Sequence, residues 1–431
     1  MESSKTNAVL KEILEKIQPT NEEIGNAQAK LKEFLDLFRK NIKKKKINAE
    51  VFIGGSFAKN TIIRKENYEI DVFVRFDKKY KDKNISNITR QALGGIKNTQ
   101  EIHGSRDYFR VKVNHSVIIE VIPVLKVSNQ KDAENITDLS YFHVQYINKK
   151  IKNKKLLDEI RIAKAFCHAN GSYGAESYIS GFSGYGLELL IYHYKTFMNF
   201  VRAMAKINSN NKDKLIIDTE KHYKNKSQIL LDVNSAKLNS PIILIDPTFK
   251  QRNVLAALSQ ETFDGFREAC KQFLRNPSAK AFEIKKINFD DVKNKAKKNK
   301  HELIVLKATT DKQEGDIAGS KLVKFYRHLK DETAKSFDIK DMGFEYSGKK
   351  TALYFFSVKK KAEIIRQGPQ IKDKDNVRRF KKMHSATFTK AGRVYARDKI
   401  KFNIKDFLDK WESRNKKIIE DMSIKELRVI G

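Results

Sequence analysis

An acid-x-acid strand near the N-terminus constrains this chain more than any other feature. Residues 68–74 read Tyr-Glu-Ile-Asp-Val-Phe-Val, a hydrophobic segment with two embedded carboxylates. Successive side chains of a strand point to opposite faces, so Glu69 and Asp71 share one face, about 6.5 to 7 Å apart. The other face carries apolar residues toward a core: Ile70, Val72, Val74 and Phe76. Such a pair is often a solvated edge, but Mg²⁺, which binds carboxylates together with phosphate oxygens, is a physical reason for two adjacent acids.

A glycine turn precedes this strand. Gly54 and Gly55 allow the backbone to approach a ligand closely, and we predict that Ser56 caps a short helix over 57–63. The free N–H groups at a helix N-terminus attract anions. A Gly-Gly-Ser turn alone is typical of a plain loop. Followed so soon by the acidic strand, it favours a site for a nucleoside triphosphate and its metal ions.

A third carboxylate belongs on a neighbouring strand. Residues 117–123 hold one acid, Glu120, among six apolar residues. An unpaired buried charge is costly, so this carboxylate needs a partner or a metal ion. The alternative is a strand-end glutamate that pairs with one of the many lysines of the chain.

The turn, the Glu-x-Asp strand and the later acid resemble the signature of the polymerase-β-like nucleotidyltransferases. Narrower motifs follow in order, and the series is similar to the archaeal-type (class I) CCA-adding enzymes, which are tRNA nucleotidyltransferases. These motifs are Arg-Ile-Ala-Lys-Ala-Phe-Cys-His at 161–168, Asn-Gly-Ser-Tyr-Gly-Ala-Glu at 170–176, Gly-Phe-Ser-Gly-Tyr at 181–185, Ile-Asp-Pro at 245–247, Arg-Asn-Val at 252–254, Gly-Pro-Gln at 368–370 and Asn-Val at 376–377. The likeness runs from the first helices into the last third of the chain.

The resemblance implies a reaction: template-independent addition of C, C and A to the 3′ end of tRNA, with CTP and ATP as substrates and pyrophosphate as product. Glu69, Asp71 and Glu120 are then the catalytic residues. They are also the ligands of two Mg²⁺ ions about 3.5 to 4 Å apart, one at the RNA 3′-hydroxyl and one at the triphosphate. We expect Ser56 and Lys59 to contact the phosphates.

The resemblance also assigns residues farther along the chain. It implies that His143, Lys164 and Tyr173 contact the triphosphate and sugar, and that Arg252 helps to read the base of the incoming nucleotide. Each has an alternative. His143 could be an ordinary packed histidine, Lys164 could reach solvent along its aliphatic stem, Tyr173 could cap a core, and Arg252 could only pair with Asp246.

Two positions depart from the pattern of the resembled family. Glu120 stands where Asp is usual, and its extra methylene implies an altered metal geometry or metal preference with the same ligand chemistry. Lys59 stands where Arg is common, so a phosphate contact there loses the bidentate guanidinium fork. We expect activity despite both changes.

Composition indicates a polyanionic partner. The 431 residues include 87 Lys and Arg against 53 acids, a net charge of +34, which favours phosphate-rich partners. A lysine-rich genome bias would give the same excess, so charge alone does not choose RNA. Cys167 and Cys270 are predicted to be reduced core residues. No leader or membrane-spanning run is apparent, so we expect a cytoplasmic protein with no membrane partner.

We predict a multidomain α+β fold: a nucleotidyltransferase head with a small mixed sheet, a helical neck, an α/β body and a basic C-terminal tail. The catalytic domain covers 1–145, a helical nucleotide- and tRNA-binding domain covers 146–264, and the body and tail cover 265–431. A second amphipathic helix begins with a capping box at Thr20. Predicted strands cover 50–53, 69–76, 109–113, 117–124, 302–307 and 351–358, and predicted helices cover 155–170, 183–206 and 319–336. Residues 208–214 are predicted as a loop and residues 294–300 as a basic linker.

The tail is the strongest candidate for RNA contact. Residues 359–401 carry 15 Lys or Arg and 4 acids. Their interleaved aromatic residues are expected to be core rather than base-stacking groups. The basic residues with an expected RNA role are Arg378, Arg379, Lys381 and Lys382. The resemblance implies that this region grips the acceptor arm and TΨC side of tRNA, and it is compatible with a homodimer.

Two alternatives stay open. One is another polymerase-β-like RNA nucleotidyltransferase, of the poly(A) or oligoadenylate type. The other is a tRNA-binding protein whose catalytic centre has decayed. The motifs at 170–176 and 252–254 favour CCA addition over the first, and the intact Glu69 and Asp71 disfavour the second.

Overall fold

The computed structural model describes residues 2–81, 83–104, 106–207, 214–284 and 286–430. The chain divides into two compact units between residues 285 and 286. The first unit contains the elements α1 Glu2–Ile17, α2 Asn21–Lys44, β1 Ala49–Ile53, α3 Gly55–Ala58, β2 Tyr68–Phe76, α4 Ile85–Ala92, β3 Thr99–Ile102, β4 Tyr108–Lys112, β5 Val117–Leu125, α5 Ser140–Lys150, α6 Lys154–Ala169, α7 Gly184–Tyr194, α8 Phe197–Lys206, β6 Leu215–Ile217, α9 Lys226–Asp232, β7 Ile242–Asp246, β8 Phe249–Asn253 and α10 Gln260–Arg275. The proposed domain boundaries after residues 145 and 264 fall inside α5 and α10.

Five described strands form a mixed sheet in the order β1-β2-β5-β4-β3. The central pair, β2 and β5, is parallel, and its neighbours are antiparallel. The alternation predicted for β2 is confirmed, because its apolar side chains are completely buried: Ile70, Val72, Val74 and Phe76. The edge strand β3 was not predicted, since its sequence Thr-Gln-Glu-Ile lacks an apolar run. The sheet therefore leaves the acidic face of β2 available for a ligand.

Helix α2 packs on the buried face of this sheet, and the predicted capping box at its start is confirmed. The Glu23 N–H donates to Thr20 Oγ1 at 3.1 Å, and the Thr20 N–H donates to Glu23 Oε2 at 2.6 Å. These two bonds satisfy N–H groups that the first turn of a helix leaves unpaired. The apolar side of α2 then joins the core beneath β2 and β5.

The helical part of this unit differs from the prediction at one place. Helix α6 ends before Gly171, as predicted, and Gly171 has φ +62°. The single helix expected over 183–206 is wrong, because α7 ends at Tyr194. Lys195 adopts a left-handed φ of +69°, and the Thr196 hydroxyl accepts a hydrogen bond from Asn199 N–H at 3.1 Å to start α8. The apolar periodicity continues through the break, so the side-chain pattern alone did not reveal it.

An aromatic core holds these helices together. Phe166 of α6 lies 5.3 to 5.7 Å from the rings of Phe197, Phe266 and Phe273. Cys167 and Cys270 are buried free thiols, which confirms the expectation of reduced core cysteines. Strands β6, β7 and β8 form a small sheet beside the helices. This core fixes the positions of α6, which carries Lys164, and of α7, which carries the buried Glu188.

The second unit contains the elements α11 Phe289–Lys298, β9 Glu302–Thr309, α12 Asp316–Ser336, β10 Phe337–Tyr346, β11 Thr351–Lys360, β12 Glu363–Gln370, α13 Lys374–Met383, β13 Thr387–Lys390, β14 Arg393–Lys399, α14 Ile404–Arg414, α15 Lys416–Asp421 and β15 Glu426–Val429. One sheet has the order β10-β11-β9-β15 and another has the order β12-β14-β13. The basic linker predicted at 294–300 is wrong, because most of it lies in α11. The Asn288 side chain caps this helix, and its lysines gather in the last turn, where cations are favourable.

Helix α13 lies across the smaller sheet of this unit. Phe380 and Val394 both lie beside Gly368, and the Phe380 ring lies 4.5 Å from that of His384. Phe388 stacks on Tyr395 at 5.4 Å. These aromatic residues pack in pairs but are only partly buried, so the expectation that they belong to the core is confirmed only in part. In the described residues, we find no helix with the length and apolar character needed to cross a membrane.

Candidate active site

The three predicted carboxylates line one cavity of about 170 Å³ in the first unit. Asp71 and Glu120 are direct neighbours in the parallel register of β2 and β5, and Glu69 lies two residues before Asp71 on the same face. Ser56, Lys164 and Tyr173 line the same cavity. The structure therefore brings together the acidic strand, the glycine turn and part of the helical motif at 161–176.

Gly55 shapes the acidic end of the cavity. Its φ is +60°, and a Cβ added there would lie 1.6 Å from Asp71 Oδ2, so both backbone and space require glycine. The predicted capping role of Ser56 is wrong. Gly54 takes the cap position without a side-chain hydrogen bond, and Ser56 lies within the four-residue helix α3. Ser56 nevertheless faces the cavity, where a phosphate contact stays a prediction.

Asp71 is in a strongly acidic environment. Burial raises its pKa to about 7, and the nearby charges of Glu120 and Glu69 act in the same direction, while Lys59 opposes them. Burial likewise raises the pKa of Glu120 despite its pairing with Arg110. Neighbouring carboxylates with raised pKa values are typical of sites that bind cations or perform acid–base chemistry.

The partner of Glu120 is Arg110 on the adjacent strand β4, not a lysine as the alternative had it. Arg110 Nε and Nη2 donate to Glu120 Oε1 at 3.2 and 2.7 Å. Arg110 Nη2 also lies 3.7 Å from Glu69 Oε1. Sequence analysis missed Arg110, because its pairing depends on the register between β4 and β5. The guanidinium balances part of the negative charge of the cavity.

Two predicted phosphate-binding lysines meet at one buried carboxylate. Lys59 Nζ donates to Glu188 Oε2 at 2.6 Å, and Lys164 Nζ donates to Glu188 Oε1 at 3.1 Å. Thr61 Oγ1 donates to the same carboxylate at 2.7 Å. Lys164 therefore does not reach solvent, which was the alternative for it. We refer to Lys59, Thr61, Lys164 and Glu188 as the lysine cluster.

The charges in the lysine cluster depend on each other. Burial opposes ionisation of Glu188, but Lys59 and Lys164 outweigh it and lower the pKa of Glu188 to about 2. Burial lowers the pKa of Lys164 to about 8, while Glu188 raises it and the positive charge of Lys59 lowers it further. At neutral pH the carboxylate is ionised and Lys164 is protonated.

His143 and Arg252 meet at a second buried acid, Asp246. Arg252 Nη1 donates to Asp246 Oδ2 at 2.7 Å, so the pairing given as the alternative for Arg252 is present. His143 Nε2 lies 3.2 Å from the same oxygen and 3.0 Å from Arg252 Nη1. The His143 ring stacks on Tyr185 at 4.1 Å. Burial lowers the pKa of His143, which favours its neutral form.

Tyr173 stands at the cavity wall beside a residue that the sequence analysis did not assign. Its ring lies 4.1 Å from that of His168, which also lines the cavity. Burial lowers the pKa of His168 to about 4, and Lys65 and Lys164 add to this effect. A neutral imidazole and a phenol thus form one side of the cavity, opposite in character to the carboxylates.

Two further buried acids, Glu188 and Asp246, were not assigned functions from sequence. Glu188 lies in the segment Gly-Leu-Glu-Leu-Leu, and Asp246 follows Ile-Leu-Ile. Both are lone acids in apolar runs, which is the signal that drew attention to Glu120. That signal marks a buried charge but does not identify its partner. Lys59 lies 129 residues before Glu188 in the sequence, and His143 lies 103 residues before Asp246.

A divalent cation fits the donor set of the cavity. Glu69, Asp71 and Glu120 offer carboxylate oxygens, which Mg²⁺ prefers, and the charge of the cluster is only partly balanced by Arg110. The described residues also include a tighter group, Glu101, His103 and Asp107. The ligand atoms of that group lie within 4.8 Å of one another, closer together than the oxygens of the three carboxylates in the cavity. Glu101 of that group is paired with Arg90.

Known proteins match this chain along most of its length. The family model for the tRNA nucleotidyltransferase second domain matches residues 158–283. The CCA-adding enzyme of Nanoarchaeum equitans is 39% identical over 235 residues, 54% of this chain and 57% of that enzyme. The chain thus spans a little over half of that relative. Those of Methanocaldococcus jannaschii and Archaeoglobus fulgidus are 27% and 26% identical, covering 90% and 92% of this chain and 86% and 87% of theirs.

Solved structures share the fold. A structure of Cid1, which has RNA terminal uridylyl transferase activity, has a TM-score of 0.51 at 13% identity over 67% of this chain and all of that one. The Cid1 poly(U) polymerase with Mg 3′-dATP has a TM-score of 0.50 at 14% identity over 64% and 98%. These likenesses show the fold of the chain, in which the acidic strands β2 and β5 lie side by side. In sequence, the chain is similar to archaeal CCA-adding enzymes and to the second domain of tRNA nucleotidyltransferases.

Proposed function

We propose that this chain adds C, C and A to the 3′ end of tRNA without a nucleic-acid template, using CTP and ATP and releasing pyrophosphate. The observation that carries the proposal is the cavity in which Asp71 and Glu120 stand side by side on β2 and β5, with Lys164 in its wall. Relatives that align over nearly nine-tenths of their length are CCA-adding enzymes.

The acids and the metal act together in this proposal. Glu69, Asp71 and Glu120 would hold two Mg²⁺ ions, which when bound supply charge neutralisation for the phosphates and a lower pKa for the attacking hydroxyl. The 3′-oxygen of the RNA forms a bond to the α-phosphorus, the bond to pyrophosphate breaks, and the hydroxyl proton is released. Gly55 supports this chemistry by leaving room for the Asp71 carboxylate.

Positively charged residues would orient the nucleotide. Lys59 and Lys164 would bind the triphosphate as ammonium groups, and Ser56 would donate a hydrogen bond from the glycine turn. Positioning and charge stabilisation account for most of the catalysis of phosphoryl-type transfer, so these contacts bear directly on rate. Tyr173 would contact the sugar from the cavity wall.

His143 and Arg252 would complete the nucleotide site. Asp246 holds Arg252 by a 2.7 Å hydrogen bond, which fixes one guanidinium nitrogen and leaves the others available as donors. Guanidinium donors can meet acceptors on both cytosine and adenine. A rigid arginine is therefore suited to select these two bases without a template.

The second unit would bind the tRNA. The side chains of Arg378, Arg379, Lys381 and Lys382 are exposed on α13. We propose that they contact the backbone of the acceptor arm and TΨC side. The proposal keeps the three domains, 1–145, 146–264 and 265–431, with the head, neck, body and tail arrangement. It also keeps a cytoplasmic location and no membrane partner, and it is compatible with a homodimer.

One assay tests the activity. Purified protein is incubated with Mg²⁺ and a tRNA that lacks its three terminal nucleotides, together with labelled CTP, ATP or both. Two C additions followed by one A support the proposal. A homopolymer of A would support a poly(A)-type enzyme, and no incorporation by folded, tRNA-binding protein would support a decayed enzyme.

A further inference from the structure

Glu188 is a buried acid with no place in the proposed reaction. Its exposed fraction is 0%, and it does not line the cavity, so it cannot touch the substrate in this conformation. It nevertheless accepts hydrogen bonds from Lys59, Thr61 and Lys164 at 2.6 to 3.1 Å. The acid lies on α7, whereas its partners lie beyond α3 and on α6.

The carboxylate resolves an electrostatic problem. Two ammonium groups, Lys59 and Lys164, are almost wholly buried and close together, with exposed fractions of 8% and 2%. Two buried ammonium groups repel each other and lose their hydration. In the absence of a counter-charge, one of the two amines would therefore release its proton. Glu188 supplies that counter-charge to both amines through separate oxygens.

The same contacts define where each amine stands. Lys164 Nζ also donates to Thr61 Oγ1 at 2.7 Å and to the Thr61 carbonyl at 3.0 Å, and Lys164 and Thr61 both line the cavity. The Lys59 amine is anchored by Glu188 and lies 5.9 Å from the centre of the Tyr185 ring. The two ammonium groups and the one carboxylate together leave a net charge of +1 beside the acidic strand.

We propose that Glu188 is a positioning residue that holds the ammonium group of Lys164, in the cavity wall, ready for the β- and γ-phosphates of the nucleotide, while Lys59 adds positive charge behind it. The inference rests on the proposed function in taking a nucleoside triphosphate as the ligand of the cavity. If Glu188 has this role, it affects binding of the phosphates and not binding of the nucleoside part of the ligand. Loss of its charge must therefore weaken binding of a triphosphate more than binding of the matching monophosphate.

The experiment compares CTP and CMP binding to the full chain, measured by calorimetry with Mg²⁺. Glu188→Gln keeps the size of the side chain but removes its charge. We expect the dissociation constant for CTP to rise about tenfold, a typical cost of losing a charged hydrogen bond, and that for CMP to change less than about twofold. In the addition reaction, the KM for CTP should rise more than kcat falls.

A matched control is Glu159→Gln. Glu159 is a partly buried glutamate on α6 that accepts a hydrogen bond from Phe197 N–H at 2.7 Å and lies outside the lysine cluster. This control should leave both dissociation constants unchanged, even if it lowers the unfolding temperature. If Glu188→Gln does not fold, Glu188→Asp retains the charge with a shorter reach and should show a smaller CTP-selective loss.

Equal losses for CTP and CMP in the tested Glu188 variant would overturn the inference, because they would indicate a purely structural role. Tighter CTP binding would also overturn it, since it would mean that Glu188 competes with phosphate for the lysines. A wild-type protein that binds CTP no more tightly than CMP would overturn it as well. If the wild-type protein binds CTP selectively but adds no nucleotide, the proposed function fails while this comparison still decides the role of Glu188.

Discussion

Arg110 holds the carboxylate of Glu120 with two nitrogens, at 3.2 and 2.7 Å, across the β4–β5 register. A side-chain cation thus occupies one side of the acid that is expected to bind Mg²⁺. The same guanidinium lies 3.7 Å from Glu69. Arg110 therefore both screens the repulsion between the acids and competes with a metal ion for them.

The Arg110→Gln substitution should strengthen metal binding in the absence of nucleotide. Removing a partly exposed positive charge beside two metal ligands should raise Mn²⁺ affinity about fivefold, the equivalent of ~1 kcal/mol. Electron paramagnetic resonance of free Mn²⁺ measures this affinity directly. Arg428→Gln is the control, because Arg428 pairs with Glu426 in the second unit, outside the cavity and outside the group of Glu101, His103 and Asp107. Weaker Mn²⁺ binding by the Arg110 variant would show that the guanidinium supports the site instead of competing for it.

Gly55→Ala should abolish catalysis by displacing Asp71. The added Cβ would lie 1.6 Å from Asp71 Oδ2, and the left-handed backbone adds a cost of about 1–2 kcal/mol to the free energy of unfolding. Nucleotide incorporation and denaturant unfolding report the two effects separately.

Gly95→Ala is the matched control for Gly55→Ala. Gly95 has φ +84°, but nothing lies within 4 Å of its added Cβ. It should therefore lose similar stability while the incorporation rate is kept. Equal loss of rate in both variants would mean that backbone strain, not the contact with Asp71, is responsible.

The rate should fall at alkaline pH because Lys164 loses its proton. The pKa of about 8 is lowered from the ordinary value, so the ammonium that binds phosphate is present below pH 8 and is lost above it. We expect kcat/KM for CTP, which reports the free enzyme, to decline above about pH 8. Lys164→Arg should move this decline to higher pH, even if its larger side chain lowers the maximum rate. An unchanged decline in that variant would assign it to another group.

Neutralising α13 should weaken tRNA binding without affecting nucleotide binding. Changing Arg378, Arg379, Lys381 and Lys382 to Gln removes four exposed positive charges. If each contacts one phosphate, the slope of log affinity against log salt should fall by about 4. Filter binding at several salt concentrations measures this slope.

The basic run at 43–46 offers a matched control for α13. It also contains four exposed lysines, of which the first two form the last turn of α2 and the others follow it. Changing all four to Gln should leave the slope nearly unchanged. Equal losses in the two sets would indicate attraction by net charge alone, with no defined contact by α13.

The strand and its acids could be predicted because period-two alternation is a local property. The core face of β2, from Ile70 to Phe76, follows directly from it. Short-range motifs also specified the capping box at Thr20 and the end of α6 at Gly171. These features depend on residues only a few positions apart.

Other features depend on distant partners and were not predictable in this way. The hydrogen bond between Lys59 and Glu188 joins residues 129 positions apart, and the contact between His143 and Asp246 joins residues 103 positions apart. The break at Lys195 has a non-glycine residue in a left-handed conformation, which no local pattern favours. The pairing with Asp246, given as the alternative for Arg252, is present, and a nucleotide role for the remaining guanidinium donors stays a prediction.

The central claim is that Glu69, Asp71 and Glu120 form the catalytic metal site, and Asp71→Asn tests it most directly. The measurement is Mg²⁺-dependent CMP incorporation into tRNA lacking its three terminal nucleotides, with tRNA affinity measured on the same preparation. We predict that wild-type protein incorporates two C residues, whereas Asp71→Asn binds tRNA with unchanged affinity and incorporates none. Incorporation by Asp71→Asn at a rate close to that of wild type would contradict the claim.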